Sequence, residues 1–381
     1  MTSRRGNSEG SIYERADGRW TASIDLGYSG GRRRRKAFYG ATRREVADKL
    51  TAALRARQQG LPIVGERLTL AAFLTRWLED SARPTLRPRT FASYKMIVDH
   101  HLTPAFGRLP LAKLAPDAVQ RYLNDKRASG LSARSVQYHH AVLRRALNQA
   151  ERWGLVPRNV ARLVSPPRVE HPEPQPLTPE QARAFLATVS EDRLAALYAL
   201  ALGLGARQGE LLALTWADVD LAGHTVSIRR TLQRYDGDWH LDPPKTERSR
   251  RTIALPASLV EMLRAHRSRQ IEERLRAGPA WQGEKWGDLV FANEIGEPLA
   301  GTQLTRRFQA VLAALGLPRQ RFHDLRHAAA TFMLSEGVSL RTTMELLGHS
   351  TIAVTANTYS HVLPELQRDA TERVSALLAQ R

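Results

Sequence analysis

The stretch SPPRVEHPEPQP (165–176) carries five prolines in twelve residues. Each proline removes a backbone donor and fixes φ, so helix is prevented and the segment reads as an extended, semi-rigid connector. The chain of 381 residues is long enough for two or three domains with separate cores. Directly after the connector, Thr178-Pro179-Glu180-Gln181 combines an N-cap, a first-turn proline and a capping-box glutamine, so a new domain opens with a helix. LPIVGER (61–67) reads as a second connector. The expected layout is therefore a module at 1–60, a linker at 61–67, a module at 68–164, a linker at 165–176 and a domain at 177–381. No internal repeat is evident.

The first module reads as a small meander followed by a helix. Ile12–Arg15 and Trp20–Asp25 have strand character and are joined by the turn Asp17-Gly18. Gly27, Gly30 and Gly31 are expected to form a second turn before a third strand, Arg32–Tyr39. Thr42 then caps a helix, with Glu45 three residues later. The second module reads as all helical. Thr69 begins a helix through Phe73, Trp77 and Leu78, and Pro88–His101 carries Phe91, Tyr94 and Ile97 at helical spacing. Pro116–Arg127 and Ser132–Trp153 supply two more helices.

Charge decides the class of partner. The net charge is +19, with 57 Lys+Arg against 38 Asp+Glu, so a polyanion is the natural partner. A GC-rich genome would inflate arginine, but acidic residues would rise with it, and here they do not. Residues 1–60 hold 14 of the basic residues against 6 acidic ones. The run Arg32, Arg33, Arg34, Arg35 and Lys36, flanked by Phe38 and Tyr39, fits a basic strand of a sheet small enough to enter a DNA major groove. Its plain alternative is a solvated charge run. Arg87, Arg89, Lys95, Arg134 and Arg144 suit a helical module resting on a DNA backbone, although each alone is an ordinary surface residue. There are no cysteines, so disulfides and thiolate chemistry are excluded. No apolar run approaches a membrane span, and the first residues lack a secretory pattern. A cytoplasmic, nucleoid-associated protein is expected, with no membrane partner.

The C-terminal half holds, in order, Arg207, Lys245, His323, Arg326, His349 and Tyr359. Arg207, near a helix start, offers a bidentate fork for phosphate oxygens, or simply pairs with Glu210. Lys245 lies in Pro243–Pro256, which reads as strand, turn, strand, where a lysine is either a proton donor or a turn residue. His323 and Arg326, at i and i+3, project from one helical face. His323 and His327, at i and i+4, have the spacing of a helical metal pair, but Asp324 replaces the glutamate such a motif needs. His349 follows a glycine-terminated helix. Tyr359 is a nucleophile only where positive charge lowers its phenol pKa. Phosphate-neutralising cations, proton carriers and a phenol together make a set for attack on a phosphodiester without metal or nucleotide, and no P-loop is present.

RQGELLALTWADVD, the Lys245 hairpin, HDLRHAAATFML, LLGHS and TANTYSHV resemble the successive motifs of the tyrosine recombinase (phage integrase) family, strongly over about residues 177–370. All six family positions match. The resemblance implies a multidomain fold: a three-stranded sheet plus helix that binds arm DNA, an all-α SAM-like core-binding domain, and a mainly α (α+β) catalytic domain. It implies a site-specific recombinase that inserts a mobile element through a 3′-phosphotyrosyl intermediate, without cofactor. Tyr359 would attack, Arg207 and Arg326 would neutralise the phosphate, and Lys245 would protonate the leaving oxygen. His323 would take the phenol proton and His349 would hydrogen-bond the phosphate. Expected partners are double-stranded DNA at core and arm sites and three further copies in a tetramer, with excisionase and a host DNA-bending protein as accessory factors. The amphipathic stretch Val362–Leu378 is placed either on a neighbouring protomer or on its own domain. Competing readings are a type IB topoisomerase-like enzyme, a catalytically idle DNA-binding regulator and a metal-dependent nuclease.

Overall fold

The computed structural model describes residues 10–29, 32–58, 68–170, 175–244, 246, 249–348, 371–372, 375 and 378–379. The chain divides into two units, Met1–His171 and Pro172–Arg381, and the division falls inside the proline-rich stretch.

In the first unit, β1 (Ser11–Glu14), β2 (Trp20–Ser29) and β3 (Arg32–Gly40) pair antiparallel in that order. Helix α1 (Arg43–Gln58) covers one face, its Val46, Leu50 and Ala53 closing over Ala22 and Ile24 of β2 and Phe38 of β3. Thr42 accepts from the Glu45 amide (3.2 Å), while the Glu45 carboxylate accepts from the Ala41 amide (2.9 Å). These two contacts fix the start of α1 as the capping pattern requires. One expectation fails. Gly27 is not in a turn; β2 runs on to Ser29, and Gly27 sits where the register with β3 shifts between Asp25 and Tyr28. Its amide donates to the Asp25 carboxylate (3.0 Å), which accommodates the irregularity within the strand. Gly30 and Gly31 lie outside the described residues.

The helical module has its own buried cluster. Helix α2 (Leu70–Trp77), capped by Thr69, runs into a wide π turn at Leu78–Ala82 and then α3 (Arg83–Thr85). Helix α4 (Pro88–Ile97) does the same through Val98–Leu102 into α5 (Thr103–Phe106). Both wide turns precede a proline, Pro84 and Pro104, whose ring excludes the carbonyl four residues back, that of Asp80 or His100. Opening the turn relieves that clash and lets the chain continue helical. Helices α6 (Pro116–Ala128) and α7 (Ala133–Arg152) complete the module. Phe73, Trp77, Phe91, Tyr94 and Ile97 are all buried, as their spacing predicts.

Two imidazoles stack inside this module, His101 and His139, with ring centroids 4.3 Å apart. The Tyr122 hydroxyl lies 3.0 Å from His139 Nδ1. Burial, then the neighbouring His101 and Lys126, push the His139 pKa down to about 4. An unfolded chain takes up that proton near ~6.5, whereas the folded one resists until about 4. Stability is therefore expected to fall by about 2 kcal/mol from this site between about pH 7 and pH 5. Denaturant midpoints at the two pH values test this, with the slope reduced in His139→Leu; equal slopes in both proteins would contradict it.

The second unit begins with α8 (Pro179–Thr188), whose capping box between Thr178 and Gln181 is formed. Helix α9 (Ala195–Leu204) is buried along nearly its whole length and ends at Gly205. The four-residue α10 (Gln208–Leu211) follows. Strands β4 (Val219–Asp220), β5 (Thr225–Ile228) and β8 (Arg251–Ala254) form one sheet in that order. Strands β6 (Thr231–Tyr235) and β7 (Asp238–Asp242) form a separate hairpin, turning at Asp236-Gly237. The expected strand, turn, strand at Pro243–Pro256 is thus corrected. β7 stops at Asp242, because Pro243 and Pro244 cannot donate to a ladder, and β8 pairs with β5 instead. Helices α11 (Ala257–Ala277), α12 (Gly301–Ala314), α13 (Asp324–Ser335) and α14 (Leu340–Leu347) complete the described elements. Phe185, Tyr198, Phe308 and Phe322 meet edge to face or tilted at its centre, centroids 5.2–6.5 Å apart.

Candidate active site

Lys245, His349 and Tyr359 lie outside the described residues; Arg207, His323 and Arg326 lie within them. The described three come from α10, the start of α13 and its first turn, and they meet at the C-terminal ends of α9 and α14.

Gly205 makes that meeting possible. It closes α9 with φ +61°, and a Cβ there would collide with Leu347 of α14 and press on Ala329 of α13. The close approach lets Arg326 span both helix ends. Only 2% exposed, it donates from Nη1 to the Gly205 carbonyl and from Nη2 to the Leu347 carbonyl, both at 2.7 Å. Unpaired carbonyls at a helix C-terminus carry partial negative charge, so a guanidinium there is favoured twice, by hydrogen bonding and by the helix dipole.

Arg207 is the N-cap residue of α10 and its side chain stays 38% exposed. Nη1 donates to Glu210 Oε1 (2.6 Å) and Nη2 approaches the Gly348 carbonyl (3.3 Å). The simple pairing with Glu210 is therefore real, and it also orients the arginine. Glu210 is buried, and its other oxygen accepts from Arg251 Nη2 (3.0 Å). Burial pushes the Glu210 pKa up, but Arg251 and Arg207 outweigh it and hold the carboxyl below its usual range. Neither Glu210 as a bridge nor Arg251 was singled out from sequence. The i, i+3 spacing of Arg207 and Glu210 is a local signal for the first; Arg251 has none, because the partners that tie it to the site, Glu210 and Leu346, are 41 and 95 residues away.

His323 takes the N-cap position of α13 with helical φ/ψ, so it and Arg326 share the first turn, as their spacing predicts. It keeps an exposed surface, but desolvation of the ring, then the charges of Arg326, His327 and Arg207, push its pKa down to about 4. The imidazole is thus neutral near pH 7 and has a nitrogen able to accept a proton. His327 lies 5.3 Å away between ring centroids, and Asp324 is committed to Arg321, accepting from its amide and from Nη2 at 2.7 Å each. Among the described residues no group of three or more His, Asp or Glu side chains is arranged to hold a metal ion.

The basic residues expected to contact DNA are distributed over both modules of the first unit. Arg34 and Arg35 are exposed on β3, and Arg35 shares a sheet face with Tyr39 and Tyr13, both more than half exposed. Lys36 packs over the Phe38 ring at 6.0 Å. Arg32 and Arg33 belong to β3 by backbone, and their side chains are outside the described set. Arg87, Arg89, Lys95, Arg134 and Arg144 are all exposed, with Lys95 paired to Asp99. Arg134 and Arg144 line one groove along α7 with Ser132, Tyr138 and Arg162. No helix among the described residues is long and apolar enough to cross a membrane.

Residues 175–365 match the phage integrase family, and residues 69–127 match the phage integrase N-terminal SAM-like domain. The chain is 35% identical to an integrase of Streptomyces ambofaciens over 97% of both chains. It is 31% identical to a XerC-like tyrosine recombinase of Caldanaerobacter subterraneus, over 90% of this chain and 92% of that protein. Among solved structures, the Tn1549 transposon integrase in complex with a circular intermediate DNA superposes with TM-score 0.66 at 20% identity, over 81% of this chain and 99% of that one. A lambda integrase tetramer bound to a Holliday junction gives TM-score 0.56 at 19% identity, over 93% and 96%. The multidomain architecture, the catalytic-domain match and the full-length relatives place this chain in the phage integrase family of tyrosine recombinases.

Proposed function

We propose that the protein cuts and rejoins DNA at specific sites through a 3′-phosphotyrosyl intermediate and thereby integrates a mobile element. The observation that carries this reading is the convergence of Arg207, His323 and Arg326 at the C-terminal end of α14, where Leu347 and Gly348 directly precede His349. The Tyr359 oxygen attacks phosphorus, the bond to the 5′-oxygen breaks, and Lys245 gives that oxygen a proton. His323, neutral at working pH, takes the phenol proton. Arg207, Arg326 and His349 stabilise the charge that builds on the non-bridging oxygens, a term worth several kcal/mol in comparable sites. The phenolic ester conserves the bond energy, so rejoining needs no nucleotide. Residues 1–60, 68–164 and 177–381 act as arm-binding, core-binding and catalytic domains, joined by linkers at 61–67 and 165–176. Four copies act together on two sites, a reading supported by the lambda integrase tetramer, with excisionase and a host DNA-bending protein setting direction. The work is done at the nucleoid.

A nicked suicide substrate containing the core site tests the reading. Covalent protein–DNA adduct is expected in the presence of EDTA; adduct formation that requires a divalent ion would favour a metal-dependent nuclease. Deleting residues 1–60 is expected to abolish integration at arm-containing sites while core cleavage persists within about threefold, since phosphate and base contacts at separate modules contribute separately. Loss of core cleavage in that deletion would contradict the assigned roles.

A further inference from the structure

Arg251 is absent from the catalytic set, yet its surroundings match those of a functional group. It enters from β8 and its side chain is 8% exposed. All three guanidinium nitrogens donate, in three directions: Nε to the Leu346 carbonyl (2.7 Å), Nη1 to the Ser249 carbonyl (3.0 Å) and Nη2 to Glu210 Oε2 (3.0 Å). Glu210 holds Arg207, Leu346 is in the last turn of α14 before His349, and Ser249 closes the turn with Thr246 that follows Lys245. At Gly348, where φ is +66°, an added Cβ would lie 2.8 Å from Arg251 Nη1, so the guanidinium occupies space that a side chain at 348 would need.

Leu346, Leu347 and Gly348 thus present consecutive carbonyls to three arginines from three elements, Arg251, Arg326 and Arg207 respectively. A buried charged network of this kind is a poor device for stability alone, since apolar packing of the same volume serves as well or better. Its use lies in fixing directions.

We propose that Arg251 is a positioning residue for DNA cleavage: it holds Glu210 as a bridge, aims Arg207, and fixes the turn that follows Lys245 and the chain before His349. The proposal rests on the assignment of Arg207 to the scissile phosphate. Without Arg251, the buried Glu210 carboxylate has Arg207 as its remaining charged partner and draws that guanidinium off the phosphate. Lysine carries one nitrogen and cannot serve three acceptors in three directions.

The test uses the full-length protein and single-turnover cleavage of a core site. Arg251→Met is expected to lower the rate about a hundredfold, the scale of losing one preorganised donor. Core-DNA affinity should stay within about threefold, because the buried Arg251 has no part in binding the duplex. A scissile methylphosphonate has no charge for Arg207 to neutralise, so on that substrate the deficit should shrink to about tenfold or less, in parallel with Arg207→Ala. A merely structural role would leave the deficit equal on both substrates, and that result overturns the proposal, as does cleavage within about twofold of wild type. If Arg251→Met does not fold, Arg251→Lys, which keeps the charge beside Glu210, carries the same comparison. Undiminished cleavage by Arg207→Ala would instead sink the active-site assignment beneath the proposal.

Discussion

Arg326→Met is expected to impair both folding and chemistry. The substitution leaves the carbonyls of Gly205 and Leu347 without the donors that reach them at 2.7 Å, in a site only 2% exposed. A buried acceptor stripped of its partner costs about 1–3 kcal/mol, so roughly 2–5 kcal/mol of stability should be lost. The ends of α9 and α14 also lose the cation opposite their dipoles and should separate. Cleavage should fall by about a thousandfold, beyond what the stability loss explains, because the proposed donor to the phosphate and the packing that seats its neighbours disappear together. Thermal unfolding and single-turnover cleavage, measured on the same preparation, check this. An unchanged melting temperature would mean that the two carbonyls find other donors, and the account of how α9, α13 and α14 meet would be wrong.

Arg207→Ala should separate the two effects. Its side chain is 38% exposed, and Glu210 retains Arg251 when it is removed. Stability should therefore change by no more than about 1 kcal/mol, the scale of a partly exposed ion pair. Cleavage should still fall by about a hundredfold to a thousandfold. A protein that melts as wild type, binds core DNA and cuts it slowly is the expected outcome. Wild-type cleavage would remove Arg207 from the phosphate; a collapse in stability would make it a structural residue.

The contrast between these arginines shows where sequence reasoning stops. Local signals placed the elements well. The Thr178–Gln181 capping box and the apolar spacing of Phe73, Trp77, Phe91, Tyr94 and Ile97 are short-range determinants, and each formed as read. The errors were also local, but involved a competing rule. Gly27 signals a turn or a bulge equally well, and pairing of β2 with β3 on both sides of it selected the bulge. The π turns before Pro84 and Pro104 satisfy a helical pattern and a proline at once, which apolar spacing cannot reveal. Pro243 and Pro244 ended β7 early and sent β8 to β5. At the site, residue types and order single out Arg207, His323 and Arg326 as candidates, but not what holds them. That depends on carbonyls at the ends of α9 and α14 and on Arg251, groups brought together only by packing of distant segments.

Tyr359 is the residue on which the mechanism rests, and the most direct test is to locate the covalent bond. Adduct trapped on the suicide substrate is digested with trypsin and nuclease, and the nucleotide-bearing peptide is fragmented by mass spectrometry. A 3′-phosphate ester on Tyr359, with no adduct from Tyr359→Phe despite unimpaired binding of core DNA, is the predicted result. A linkage to any other side chain, or equal adduct from Tyr359→Phe, would contradict it.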